Sequence, residues 1–347
     1  PLQWVLIRWL ARYPDWVEEH YSLGLYPHIS GFFRRLYGWI PFSVGDLLYG
    51  FLLIGILWVA YRHGRRLRTH LRESLRNLLA GLAVLHFTFY LLWGLNYFRQ
   101  PLSERMGLEE AYDQAALLEL VSTLSQEVNA LQEQLTGNRT ERVVFPFDRE
   151  DILKRTLEAY RVYGSAEPAF RYRHPSLKPS LISLGLSYMG YGGYLNPFTG
   201  EAQVNARLPL FRFPVVCAHE VGHQLGYSAE NETNFIGYLL TRSQDDPYMQ
   251  YSAAAYALGY CLGEVRRRDP TLAKSLVKKL NAGVIANYAE LRTFWESYQN
   301  PMEPVFKAIF NQYLEANLQK DGIRSYNRVV GLMIGYHKKV PVRVPAR

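Results

Sequence analysis

The hydrophobic positions of the chain form long uninterrupted runs near its start and helical periodicity after residue 100. The runs at 47–61 and 78–98 contain no charged residue. Because a helix needs about 20 apolar residues to cross a bilayer, we expect membrane spans at about 44–62 and 78–98. We interpret residues 1–10, which are also mostly apolar, as the end of an earlier span.

Arginines between the two apolar runs set the expected orientation, because basic residues beside spans favour the cytoplasmic side. The second span then delivers the rest of the chain to the outer face of the cytoplasmic membrane. We therefore expect a multi-pass protein with a membrane region, 1–100, and an extracytoplasmic domain, 101–347. The arginines are Arg62, Arg65, Arg66, Arg68, Arg72 and Arg76.

Beyond residue 100 the pattern is mainly helical. Apolar residues at heptad spacing predict a helix that ends at Gly137, and Asp148 is placed to cap a second helix that continues to Tyr163. From Val215 onward helical patterns return and continue to the last segment, with breaks at proline and glycine. The predicted class is therefore mainly α, with N-terminal transmembrane helices before the larger domain.

A short region between the helical segments favours β-structure. Residues 180–209 alternate β-favouring pieces with glycine turns, which predicts a small irregular β-sheet. Residues 202–206, AQVNA, are expected to form an edge strand of this sheet. The larger domain is thus expected to be α+β.

Composition narrows the class of partner. The net charge of +8 is concentrated in the arginine segment, and no nucleic-acid-binding motif accompanies it, so we expect no nucleic-acid partner. Aromatic residues make up 14% of the chain, which suits contact with a lipid bilayer. Cys217 and Cys261 are too few for a disulfide scaffold, and we expect two buried thiols rather than one bridge.

The segment HEVGH at 219–223 has the spacing of a metal site. His219 and His223 are four residues apart, so both imidazoles can lie on one face of a helix and bind one ion. Glu220 is offset from that face, where it can contact a water on the ion. Zinc lowers the pKa of such a water and polarises a carbonyl, while a carboxylate takes the proton. The motif predicts one Zn²⁺ ion, with Glu220 as the general base.

A catalytic zinc takes three protein ligands and leaves one position open. The metzincin position for a third histidine is occupied by Ala229, and Glu230 follows directly. Glu230 is the favoured third ligand, and Glu232 is the alternative. The two point in nearly opposite directions on a regular helix, so only one of them can face the ion.

The favoured ligand depends on a sharp reversal after the first helix. We expect Gly226 to end that helix in the left-handed conformation and Ser228 to cap the next one. Glu230 then lies in the first turn of the second helix. Asn234 is four residues further on the same face, where it can orient the carboxylate or a histidine.

Five blocks of the sequence, in order, resemble a family of bacterial membrane proteins classed as a domain of unknown function with an HExxH zincin-like region. The resemblance implies a gluzincin-type site and the same four residues, His219, Glu220, His223 and Glu230. ENETN also resembles the ExxAN and ExxAD helices of glutamate zincins, but Thr233 replaces the usual alanine and the gap after the second histidine is short. The blocks are IPFSVGDLLYG at 40–50, WGLNYFRQPL at 93–102, NPFTGEAQVN at 196–205, AHEVGHQLGYSAENETNFIGYL at 218–239 and SYNRVVGL at 325–332.

These patterns together predict a membrane-anchored zinc metallopeptidase, a hydrolase that acts on a peptide or protein substrate. The alternative is an inactive zincin-fold module that binds metal as a signalling or scaffold protein. An intramembrane site is disfavoured because the polar segment SAENETN follows the motif directly. A protease that faces the cytoplasm differs from the first hypothesis in topology alone.

The residues that support catalysis stay open at this point. The strand in GEAQVNA, 200–206, is the candidate for binding a peptide backbone, with Glu201 and Asn205 either as substrate contacts or as turn and cap residues. An oxyanion stabiliser cannot be chosen from sequence alone. The candidates are Tyr191, Tyr194, Tyr326, Arg328 and His337.

Overall fold

The structure, a computed structural model, describes residues 2–317 and 328–340, without the side chains of Arg66 and Leu67. The N-terminal part is helical up to Tyr37. Its elements are α1 (Leu2–Leu10), α2 (Pro14–Trp16), a π-helical stretch (Val17–Leu25) and α3 (Tyr26–Tyr37).

Two long helices follow, α4 (Val44–Thr69) and α5 (Leu71–Leu92). Val44–Arg65 of α4 and the whole of α5 are long and apolar enough to cross a membrane, and almost all of their residues are exposed. This agrees with the two expected spans and indicates membrane association by length and composition. The second helix ends at Leu92 rather than at residue 98, because the next residues turn under the larger domain as a short 3₁₀ helix (Gly94–Phe98).

The remaining helices build the larger domain, and the two predicted from their caps are confirmed. Gly137 ends the heptad helix with φ of 75°, and the Asp148 side chain accepts a hydrogen bond from the Asp151 amide. The helices are α6 (Leu102–Met106), α7 (Gln114–Thr136), α8 (Arg149–Ala166), a 3₁₀ turn (Pro168–Phe170), α9 (Ser183–Met189), α10 (Phe213–Gln224), α11 (Glu230–Arg242), α12 (Pro247–Arg268), α13 (Pro270–Val277), α14 (Ala282–Glu296), α15 (Glu303–Ala316) and α16 (Arg328–Lys339).

A small mixed sheet of three strands packs on α10, as the sequence predicted. The strands are β1 (Leu177–Pro179), β2 (Gly193–Asn196) and β3 (Glu201–Val204), in the order β1-β3-β2. β3 pairs in parallel with β1 and antiparallel with β2. The prediction of an edge strand at 202–206 is therefore wrong. All four residues of β3 are buried between two neighbours, and β1 and β2 are the edge strands.

The core surrounds α10, which carries the HEVGH motif. Ten of its twelve residues are buried, and the Tyr160 hydroxyl of α8 donates to the Ala218 carbonyl at 2.6 Å. The apolar face of α16 belongs to the same core. A second apolar cluster joins the N-terminal helices to Trp93 and Leu314. Residues before and after position 100 thus pack in one cluster, and the division of the chain into a membrane region and a larger domain at that position stays a prediction.

Candidate metal centre

A left-handed glycine reverses the chain between the two helices of the centre. Gly226 has φ of 84°, as predicted, and α11 begins four residues later. The predicted cap at Ser228 is wrong. Ala229 is the N-cap residue, and its methyl side chain cannot form a hydrogen bond. The Ser228 hydroxyl donates to the Asn96 carbonyl at 2.9 Å instead of to the helix. The hydroxyl therefore ties the reversal to the segment that follows α5.

Close packing of α10 against α11 brings three predicted residues together. Glu230 Oε2 lies 3.7 Å from His219 Nε2, and Glu230 Oε1 lies 3.6 Å from His223 Nε2. All three ligand atoms are within 4.8 Å of one another. A Cβ atom on Gly237 of α11 would lie 2.7 Å from the Val215 carbonyl oxygen, so only glycine allows this helix approach.

The second histidine is held in the tautomer that a metal ligand requires. His223 Nδ1 lies 2.8 Å from the Tyr227 carbonyl oxygen, which can only accept a hydrogen bond, so Nδ1 carries the proton and Nε2 faces Glu230 with its lone pair. Burial lowers the pKa of His223 to about 4, so the ring is neutral at physiological pH. Trp93 Nε1 donates to the His223 carbonyl at 3.0 Å, which fixes the backbone of the same residue.

His219 is held by neighbours on other helices. Burial, and then the neighbouring His223, lower the pKa of His219, while an interaction with Asn234 opposes the change. The Tyr256 hydroxyl donates to Asn234 Oδ1. Asn234 thus lies beside the first histidine, where the sequence placed it, and α12 supports it.

Glu220 lies beside the cluster with an unmatched oxygen. Its Oε1 is 4.0 Å from His219 Nε2, and its Oε2 is buried without a hydrogen-bond partner among the described residues. Burial, and then the charge of Glu230, raise the pKa of Glu220. Burial alone raises the pKa of Glu230 to about 7. Two largely buried carboxylates beside two neutral imidazoles are a donor set that a divalent cation would satisfy, and zinc takes these ligands.

Glu232, the alternative ligand, lies away from the cluster. Its carboxylate accepts a hydrogen bond from the Leu102 amide at 2.7 Å. Burial raises its pKa to about 7, against the opposing effects of that bond and of Arg99. The structure therefore gives Glu232 a structural contact and leaves Glu230 beside the histidines.

Of the five candidates for the oxyanion stabiliser, two line the cleft and two have partners elsewhere. Tyr191 and Tyr194 line the cleft at the cluster. Arg328 pairs with Glu110, and His337 Nε2 lies 2.5 Å from the Tyr238 hydroxyl oxygen, so both are engaged elsewhere. Tyr326 lies outside the described residues.

The two proposed substrate contacts have structural partners. Glu201 accepts from the Val44 and Gly45 amides at 3.1 and 2.6 Å, and pairs with buried Lys178. Asn205 donates to the Ser187 hydroxyl at 2.9 Å. Both side chains therefore hold the sheet and its neighbours in place.

The cluster opens into a cleft of about 570 Å³ with mostly aromatic and aliphatic walls. Arg212, directly before α10, lines it, and its guanidinium lies 3.8 Å from the centre of the Tyr256 ring. Sequence reasoning missed this residue, although its position before the HEVGH helix was a usable signal. Cys217 and Cys261 are buried and free, as predicted.

A buried ion pair beneath the centre was also missed. Arg99 binds Glu18 through two hydrogen bonds of 2.8 and 2.9 Å and donates to the Gly226 carbonyl at 2.9 Å. Arg99 lies in WGLNYFRQPL, one of the five blocks that carry the family resemblance. No periodicity, however, links it to a glutamate 81 residues earlier.

The fold and the site together define a mainly helical protein with two apolar helices and a largely buried cluster of two histidines and a glutamate. Residues 21–334 match the protein family described as "Protein of unknown function (DUF3810)", and the chain belongs to this family. Comparisons with curated proteins and with solved structures find no match. Only the geometry of the centre therefore indicates an activity.

Proposed function

We propose that the protein is a membrane-associated zinc peptidase that hydrolyses peptide bonds with Glu220 as the general base. The observation that carries the proposal is the convergence of His219, His223 and Glu230, with their ligand atoms within 4.8 Å, on a cleft that Glu220 also lines. Three ligands and an open cleft are the arrangement of a catalytic zinc site, whereas a structural site is closed by a fourth ligand. The larger domain is then zincin-like and of the gluzincin type.

The ligands would hold the metal from two helices. His219 and His223 present their Nε2 atoms from α10, and Glu230 presents both carboxylate oxygens from the first turn of α11. When bound, zinc supplies a Lewis acid that polarises the substrate carbonyl and makes water a better nucleophile. Asn234 would keep the His219 ring in the orientation that the metal needs.

Glu220 is placed to move the proton of the reaction. Its carboxylate lies against the edge strand, since a Cβ atom on Gly193 would be 2.6 Å from Glu220 Oε1. The carboxylate takes a proton from the attacking water and delivers it to the departing amine nitrogen. The hydroxyl group of the water joins the acyl carbon as the carbon–nitrogen bond breaks, so both protons of the water are accounted for.

The edge strand β2 offers the substrate a backbone to pair with. The Asn205 amide donates to the Gly192 carbonyl at 2.8 Å, and antiparallel pairs alternate, so the backbone groups of Gly193 and Leu195 point away from β3. Both residues line the cleft. An extended peptide that adds to this edge would pass directly beside Glu220.

Metal content and hydrolysis of a random peptide library by the purified full chain test the proposal. We expect one zinc ion per chain, loss of zinc in His219→Ala and Glu230→Ala, and at least a hundredfold loss of hydrolysis with retained zinc in Glu220→Gln. The matched control is Glu232→Gln, which should keep both zinc and activity because that side chain contacts the Leu102 amide.

Two outcomes would contradict the mechanism. Unchanged hydrolysis in Glu220→Gln would remove the general base, and full zinc content in Glu230→Ala would remove the third ligand. A protein that binds one zinc ion but cuts no peptide in the library would instead favour the alternative of a metal-dependent scaffold or signalling module.

A further inference from the structure

Of the two apolar helices, α4 begins and α5 ends near the metal centre. The first turn of α4 is fixed by Glu201, which accepts from the Val44 and Gly45 amides, and by Asp46, which accepts from the Leu181 amide at 2.7 Å. At the other helix, Trp93 directly follows α5 and donates to the His223 carbonyl. The residue that follows α5 thus contacts a ligand residue directly, and the first turn of α4 is fixed to β3 and to the segment that precedes α9.

The cleft continues along both helices. Tyr49 of α4 and Phe89 of α5 line it together with the ligands. Tyr49 is five residues beyond Val44, which places it about 7.5 Å along its helix. The cleft therefore reaches from the ligands past the first turn of an apolar helix. If α4 and α5 cross a bilayer, the part of the cleft that Tyr49 and Phe89 line is at the bilayer surface.

Residues 181–184 and α15 form an apolar rim beside the cleft, because their neighbours Ile182, Leu186 and Phe310 line it, and Ile182 is itself 41% exposed. Leu181 is bonded to the first turn of α4 and is 55% exposed, and Leu184 of α9 is 49% exposed. Ile309 of α15, a helix that packs on α9, is 59% exposed. Exposed apolar residues in one place mark a surface that another apolar phase covers. Because Leu181 is bonded to the apolar helix α4, we take that phase to be the bilayer.

We propose that the substrate is a polypeptide anchored in the same membrane and cut within a few residues of its anchor. This inference rests on the proposed peptidase function. An extended chain crosses a cavity of about 570 Å³ with about three residues. A segment that leaves the bilayer beside Leu181 and Leu184 therefore presents its first peptide bonds to Glu220 and β2. A soluble peptide has no membrane anchor to place its peptide bonds there.

Full-length protein in phosphatidylethanolamine–phosphatidylglycerol vesicles tests the substrate class. The probes carry one random ten-residue library, either free, attached to a transmembrane anchor without a spacer, or attached through a twenty-residue flexible spacer. We expect the library next to the anchor to be cut at least tenfold faster than the other two. The long-spacer probe is the control for membrane tethering, because it is held at the same surface but is not delivered to the cleft.

The outcomes separate the two proposals. Equal rates for the probes with and without the spacer, or fastest cutting of the free library, would overturn the inference and leave the peptidase function intact. No cutting of any probe by zinc-loaded protein would instead overturn the peptidase function. Subtraction of the rate of Glu220→Gln removes any contaminating protease.

Contact of the rim with lipid can be measured without activity. A fluorophore on Leu184→Cys or Ile309→Cys should be quenched by lipids that carry a nitroxide near the glycerol backbone. The matched control is Val162→Cys, which is 55% exposed but lies on α8, a helix that packs on α10 and α11 and carries no cleft residue. Cys217 and Cys261 are buried and should not react. Equal quenching at Leu184 and Val162 would overturn the inference.

Discussion

Gly226 does two things in one residue: it ends the helix that carries the histidines and reverses the chain toward Glu230. Its φ of 84° is open to glycine and strained for other residues. A Cβ atom at this position would also lie 2.8 Å from Asn96 Oδ1. The distance between His223 and Glu230 therefore depends on a backbone conformation as well as on the two side chains.

Gly226→Ala should lower both stability and zinc affinity. We expect a cost of about 1–3 kcal/mol in the free energy of unfolding from the strained conformation, and about a tenfold weaker zinc affinity as the reversal shifts. Thermal unfolding in detergent and competition with a zinc chelator measure the two effects.

The matched control for this substitution is Gly263→Ala. Gly263 lies inside α12, and a Cβ atom there would meet nothing within 4 Å. Alanine should leave zinc affinity unchanged and stabilise the helix by up to about 1 kcal/mol. Equal effects of the two substitutions would contradict the role assigned to Gly226.

At the same scale, the centre shows what sequence can and cannot predict. The i, i+4 spacing of His219 and His223 and the left-handed Gly226 follow from local rules of helix geometry. The choice of Glu230 as neighbour of the histidines also agrees with a local argument. The cap at Ser228 failed because its hydroxyl finds a carbonyl at Asn96, 132 residues away, and no local rule contains that contact.

Among the elements, the join between the sheet and α4 depends on one buried carboxylate. Glu201 of β3 pairs with Lys178 of β1 at 2.5 Å and accepts from the first two amides of α4. Both side chains of the pair are almost completely buried. The amides at a helix start carry partial positive charge, so the carboxylate satisfies donors on two elements at once.

Glu201→Gln should destabilise the protein strongly, because it leaves the Lys178 ammonium buried without its counter-charge. We expect a loss of about 3–5 kcal/mol in the free energy of unfolding. The double variant Glu201→Gln/Lys178→Met removes the uncompensated charge and should recover at least about 1 kcal/mol of that loss. Thermal unfolding in detergent compares the two variants, and a double variant no more stable than Glu201→Gln would contradict the argument.

The edge strand illustrates why the order of strands was not predictable. Both GYLN at 193–196 and EAQV at 201–204 have strand-like composition, and alternation alone does not say which one pairs on two sides. The strand order depends on β1. This three-residue strand pairs with the free side of β3 and so leaves β2 with one neighbour. Pairing between distant segments decides the order, and a single sequence does not encode it locally.

For the whole molecule, the apolar runs predicted the two long helices, and their far ends carry the basic residues. The arginines cluster around the junction of α4 and α5, whereas the metal centre lies where α4 begins and α5 ends. The two features are therefore separated by the length of the helices, about 30 Å for 22 residues. If the arginines face the cytoplasm, the metal centre faces the opposite side of the membrane.

Labelling with a membrane-impermeable maleimide tests this orientation. Val144→Cys lies on the larger domain at a position 65% exposed, and Arg72→Cys lies in the arginine segment. In spheroplasts of an expressing bacterium we expect Val144→Cys to react at once and Arg72→Cys only after permeabilisation. The unchanged chain, whose two thiols are buried, is the control for background labelling. The reverse pattern would place the metal centre in the cytoplasm, because the larger domain and the arginine segment are joined to opposite ends of α4 and α5.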